Sequence, residues 1–174
     1  MSEIKLRKWQ EAVLDWLGEY ESYTGSETMQ SLQQYDVNSL ASISIKMPTR
    51  YGHTFFTSYL ADIIPEDNST DNTVVVVYFD MDHLKEIENY KKDIESSKKL
   101  KNSINNNKNP IYISVYEFYY AINENSHSQN SSNLMKLKTK INGNVIVVDR
   151  ASSLPNPVRD FILTVATNAI VFLG

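Results

Sequence analysis

Thr73 to Phe79 reads TVVVVYF, six apolar residues in succession after Thr73. A strand with one wet face alternates apolar and polar side chains. A strand apolar at every position is covered on both faces, as in a parallel sheet between helices. Val145 to Val148, VIVV, repeats that pattern and is ended by Asp149. Leu40 to Met47 begins another strand, with Ile43 and Ile45 alternating. Ile111 to Tyr116 and Ala169 to Leu173 read as two more. Helical spacing fills the intervals: Leu6 to about Tyr20, with Trp9 and Trp16 packing on one face, then Thr54 to Ile64, His83 to about Leu100, Glu117 to Ile122, Leu134 to Lys140 and Pro157 to Thr167. Strands alternating with helices predict a doubly wound α/β fold, in which ligands bind beyond the carboxyl ends of the strands.

The chain has 174 residues, 41% of them apolar and 22% charged. That composition excludes collagen-like, coiled-coil and fully disordered classes. It predicts a single domain over 1–174: an N-terminal helix and polar segment over 1–38, and an α/β core over 39–174 with polar insertions near 101–109 and 123–133. Zero cysteines remove disulfides, thiolate zinc sites and cysteine nucleophiles. Three scattered histidines, His53, His83 and His127, argue against a catalytic zinc site, and His83 and His127 are expected at the surface. No apolar run approaches the roughly 18 residues of a membrane span, and MSEIKLRKWQ has no signal-peptide core, so an intracellular protein without membrane contact is expected. The net charge of -4 leaves any nucleic-acid contact to a local patch.

Two strand ends carry chemistry. After the Ile43 strand comes MPTRYGHT, Met47 to Thr54, at a strand-to-helix corner. A phosphate-cradling loop there needs backbone N–H groups, a helix N-terminus, a cation and a hydroxyl for Mg²⁺. Thr54 offers the hydroxyl and Gly52 the permissive backbone, while His53 stands where the lysine belongs. An imidazole is shorter and, near its ordinary pKa of about 6.5, mostly neutral at pH 7. Arg50 or Lys46 could substitute by reach. After Val148, Asp149 is placed to approach phosphate-bound Mg²⁺, and Arg150 follows where a catalytic glutamate would stand. Arginine has no acceptor and cannot act as a base.

In order, these motifs resemble the first RecA-like lobe of superfamily 2 helicases and translocases, especially the Snf2-like and phage or viral branches. MPTRYGHT resembles that family's MPTGSGKT with Arg50 for Gly and His53 for Lys. Leu6-Arg7-Lys8-Trp9-Gln10 resembles the upstream adenine-recognition motif, and VVVVYF with Asp80-Met81-Asp82-His83-Leu84 resembles motif Ia. Ile113-Ser114-Val115-Tyr116 resembles the ITSY-like strand, VIVVDRASSLPNP the DEAH-box-like segment with Ser153 for His, and Ala169 to Gly174 the strand before the coupling motif. Phage terminase ATPase domains share the core and are a second resemblance. The implied fold is a three-layer P-loop NTPase of RecA type with a mainly parallel sheet. The implied ligands are ATP and Mg²⁺, with Gln10, Lys46, Thr49, Arg50, Gly52, His53 and Thr54 around the nucleotide and Thr54 and Asp149 on the metal.

Because the departures fall on working residues, the expected function is that of a catalytically impaired lobe, of viral or phage type. It would act by binding a protein partner: a helicase, a translocase, a packaging-motor subunit or a second copy. It would have weak or no ATPase activity and could bind no nucleotide at all. No second lobe to donate an arginine finger, worth about 10³ to 10⁵ in rate, is expected in the chain. A functional ATPase subunit of a helicase or packaging motor is the first alternative. A nucleic-acid-binding module is the second, resting on Lys91, Lys92, Lys98, Lys99 and Lys101, although Asp93 and Glu95 interrupt that cluster and a solvated helix face explains it as well. Tyr116, Tyr119 and Tyr120 could stack on bases but are expected in the core beside Phe118. The ancestry reading requires the corner at Thr54 and the carboxylate of Asp149 to lie side by side, on neighbouring parallel strands.

Overall fold

The computed structural model describes residues 5–24, 42–46, 51–67, 73–98, 109–125 and 132–174. Among them are five strands: β1 (Ser42–Ile45), β2 (Val74–Tyr78), β3 (Ile111–Ser114), β4 (Val145–Val148) and β5 (Ile170–Leu173). They form one sheet in the order β1-β5-β4-β2-β3, with every pairing parallel. Val74 pairs with Val145, and Ile43 with Val171. Burial separates inner strands from edge strands. β2, β4 and β5, the strands with unbroken apolar runs, lie inside the sheet, whereas β1 and β3 form its edges and carry Ser42, Ser44 and Ser114.

Parallel strands need crossovers, and helices supply them on both faces. The described helices are α1 (Lys8–Thr24), which precedes β1, and the connecting α2 (His53–Asp67), α3 (Met81–Lys98), α4 (Val115–Asn125), α5 (Ser132–Ile141) and α6 (Asn156–Val165), with a 3₁₀ turn at Ala151–Ser153 before α6. Alternation along the strands divides the core in two. Val74 and Val76 of β2, Val147 of β4 and Val171 of β5 meet Val13 of α1, Phe56 and Leu60 of α2 and Ile87 of α3. Val75, Val77, Ile146, Val148 and Phe172 face the other way, onto Phe118 of α4, Leu137 of α5 and Ile162 of α6. Trp9 and Trp16 pack on the first cluster, Trp9 edge-on to Phe56 at 5.1 Å. Fully burying each such side chain contributes about 1.5–3 kcal/mol, so the four buried valines of β2 anchor both layers at once.

Helix starts differ from the sequence expectation where a side chain caps them. α3 begins at Met81, two residues early, because Asp80 Oδ1 accepts from His83 N at 2.8 Å. α4 begins at Val115, directly after β3, with Ser114 Oγ accepting from Glu117 N at 3.2 Å. That start puts Val115, Phe118 and Ala121 on the buried face and turns the tyrosines outward. Tyr116, Tyr119 and Tyr120 are 60%, 45% and 63% exposed, correcting their expected place in the core. His83, expected at the surface, is fully buried, and His127 lies outside the described residues. No described helix is long and apolar enough to cross a membrane.

Candidate functional site

At the C-terminal edge of the sheet the chain turns from Tyr51 into α2. Gly52 adopts φ +87°, a left-handed conformation that side chains resist, and its carbonyl accepts from Phe56 N to open the helix. The N-terminal segment closes over this turn. Gln10 is buried, its Oε1 accepting from Arg7 N at 2.8 Å and its Nε2 donating to Gly52 O at 3.3 Å, while Arg7 lies over the Tyr51 ring. A Cβ on Gly52 would come within 3.2 Å of Gln10 Nε2. The Gln10 amide therefore braces the turn. Further along α2, Ser58 Oγ is shared between Thr54 O and Ile87 O, which fixes the first turns of α2 against α3.

Asp149, fully buried, follows β4 and collects three donors. Thr54 Oγ1 donates to Oδ2 at 2.8 Å, His83 stands 2.7 Å from the same oxygen through Nε2, and His53 Nδ1 reaches Oδ1 at 2.6 Å. Burial opposes ionisation of this carboxyl. The hydrogen bonds from His53, His83 and Thr54 outweigh it and hold the group well below the usual carboxylate range. The same bond to Asp149 raises the His53 pKa, against the lowering effects of burial and Arg150. For His83 the tautomer follows from its partners: Nδ1 accepts from Phe79 N at 3.1 Å, so the ring is neutral with its proton on Nε2, donating to Asp149.

Directly after Asp149, Arg150 has φ 54° and ψ 41°, the one non-glycine residue with positive φ among those described. Holding a side chain there costs about 1–3 kcal/mol and persists only where the surroundings impose it. Here the chain is pinned on both sides: Ser153 N donates to Arg150 O, Ser152 N to Gly174 O, and Gly174 N to Ile45 O. A Cβ at Gly174 would stand in contact with the Arg150 Cα, at 3.4 Å. Arg150 Nη2 reaches Glu86 Oε2 of α3 at 3.3 Å. These parts line a cleft of about 570 Å³, with the first turn of α2 as one wall, Arg150, Ser152, Ser153 and Gly174 as another, and Glu86 and the edge-on pair Phe55–Tyr90 completing it.

The structure brings Gln10, Gly52, His53, Thr54, Asp149 and Arg150 together around this corner. Thr49 and Arg50 lie outside the described residues, and Lys46, exposed, follows β1. Of the two conditions set for the ancestry reading, Thr54 and Asp149 meet the first, contact, and fail the second, a correction to the expectation: β5 runs between β1 and β4, so their strands are not neighbours. Contact is still possible because Thr54 sits beyond the end of β1, in the first turn of α2. Lys91 pairs with Glu95 at 3.1 Å and Lys92 is exposed; Lys99 and Lys101 lie outside the described residues, as does the Lys98 side chain. Sequence reasoning missed His83 and Glu86. The available signal for His83 was Asp80 three residues earlier: a capping aspartate after an apolar strand places the third helical residue against the strand ends.

Among the described residues no group of three His, Cys, Asp or Glu could hold a metal ion. His83 is unsuited to ligation, because freeing Nε2 for a cation would put the ring proton on Nδ1, against Phe79 N–H. The oxygens of the kind a hard cation takes are Thr54 Oγ1 and the Asp149 carboxylate; Asp149 is fully buried, and a cation reaching it would have to displace a donor from His53, His83 or Thr54. Compared with known proteins, the chain matches no family model and no curated sequence.

Proposed function

We propose that this chain is a degenerate P-loop NTPase-like domain of RecA type, related to the ATPase lobes of superfamily 2 helicases or phage terminases. In this reading it binds Mg²⁺-nucleotide, turns it over poorly and acts through a protein partner. The observation that carries this is the hydrogen bond from Thr54, in the first turn of the helix after β1, to Asp149 at the end of β4. It puts a hydroxyl and a carboxylate beside a helix N-terminus at the carboxyl edge of a parallel sheet, the place where such sheets hold phosphates. Bound there by Thr54 and Asp149, Mg²⁺ would neutralise phosphate charge.

Poor turnover is supported by the two neighbours. His53 has Nδ1 held by Asp149 at 2.6 Å, and Arg150 offers no acceptor for a proton from water. A role through binding is supported by the aromatic surface of α4, where exposed Tyr116, Tyr119 and Tyr120 adjoin a helix, α5, that exposes Met135. Tyrosine and methionine are enriched at protein interfaces.

Titration with Mg²⁺-ATP followed by the double reversion His53→Lys with Arg150→Glu tests the reading. Mg²⁺-dependent hydrolysis in the revertant above that of the wild type is expected. A revertant as inert as the wild type, with neither protein binding nucleotide, would overturn it.

A further inference from the structure

Resting on that nucleotide reading, we infer that Arg150 is the cation for the terminal phosphate of a nucleoside triphosphate, taking over the task of the missing lysine. Two cationic side chains line the cleft among the described residues, His53 and Arg150. His53 is turned to Asp149, with its side chain 16% exposed. Arg150 makes one ion-pair contact, through Nη2 to Glu86 at 3.3 Å, with 40% of the Arg150 side chain and 46% of the Glu86 side chain exposed. A guanidinium has five N–H donors in a planar fork, and a single long contact to one carboxylate oxygen leaves most of that capacity for another anion. A pair this exposed is weak, while a terminal phosphate offers more charge and a bidentate partner.

The backbone points to the same role. Arg150 is held in the left-handed region between the fully buried Asp149 and the 3₁₀ turn that forms the opposite wall. Its side chain thereby enters the cleft that Thr54 and His53 enter from α2. A cation there grips the terminal phosphate but takes no proton from water. The site then holds a triphosphate and recognises it against a diphosphate, which lacks the group Arg150 would bind. In this arrangement Glu86 competes with the phosphate for the guanidinium.

The test is calorimetric titration, in Mg²⁺, of the full chain with ADP and with the non-hydrolysable analogue carrying a β,γ-imido bridge. Wild type is expected to favour the triphosphate about tenfold or more, the scale of one charge-assisted contact. Arg150→Gly, which suits a positive φ and so spares the fold, should lose that preference while keeping its ADP affinity. Glu86→Gln should strengthen the triphosphate alone. Equal affinities in the wild type, or a preference that survives Arg150→Gly, would overturn the assignment of Arg150. Absence of binding to either nucleotide would instead defeat the reading beneath it and the assignment with it.

Discussion

The Thr54 hydroxyl donates to Asp149 Oδ2 at 2.8 Å although the two residues are 95 positions apart and β5 separates their strands. Each partner is placed by something other than strand pairing. Thr54 is carried beyond β1 by the left-handed turn at Gly52, and Asp149 sits where β4 gives way to the strained Arg150. The contact therefore reports the whole corner.

Thr54→Val keeps the shape and removes the donor. A hydrogen bond to a charged group contributes about 1.5–3 kcal/mol, so the variant is expected to unfold at lower urea, with an unfolding free energy reduced by an amount in that range. An unchanged midpoint would mean that the hydroxyl and carboxylate do not meet.

His83→Phe removes one donor to Asp149 and the acceptor of Phe79 N–H in a site with no water contact. The expected loss is about 2–5 kcal/mol. In wild type, ¹⁵N spectra should show His83 protonated on Nε2 and bare on Nδ1; the opposite tautomer would contradict the bonding described.

The His53–Asp149 pair makes stability depend on pH in two directions. His53 is raised above its ordinary 6.5, so its contribution is complete below that pH and is lost as pH rises through the folded value. Asp149 is lowered from its ordinary 3.8, so its contribution is present above that pH and fades as pH falls through the folded value. The melting temperature should therefore carry the full benefit of the pair between these two pH values. His53→Gln should flatten the alkaline limb; superimposable profiles for the two proteins would show that the pair contributes nothing.

Gly18 lies inside α1 with nothing within 4 Å of where a Cβ would stand. Gly18→Ala should raise stability by about 0.5–1 kcal/mol through helix propensity. Gly52→Ala should do the reverse, since its φ is +87° and Gln10 crowds the position.

The three inner strands were legible because burial on both faces leaves an unbroken apolar run, as in Val74 to Val77 and Val145 to Val148. Their order was not, because parallel strands joined by helices can sit in several orders without changing a residue; the place of β5 between β1 and β4 is a property of the fold alone. Thr54, Asp149, His53 and Arg150 could be picked out at strand ends, where chemistry collects. His83 was hidden because one histidine in a charged segment looks solvated unless its register relative to the Asp80 cap is known. The tyrosines of α4 were misplaced for a related reason: with Phe118 among them, the buried face depends on where the helix begins, and it begins at Val115.

Whether the corner at Thr54 and Asp149 holds Mg²⁺-nucleotide is tested most directly by calorimetry of the wild-type chain with ATP, with and without Mg²⁺. Saturable binding that requires Mg²⁺, persists in His53→Ala and disappears in Asp149→Ala is expected. A folded wild-type protein that takes up no nucleotide at high concentration, or one whose binding is indifferent to Asp149, would contradict it.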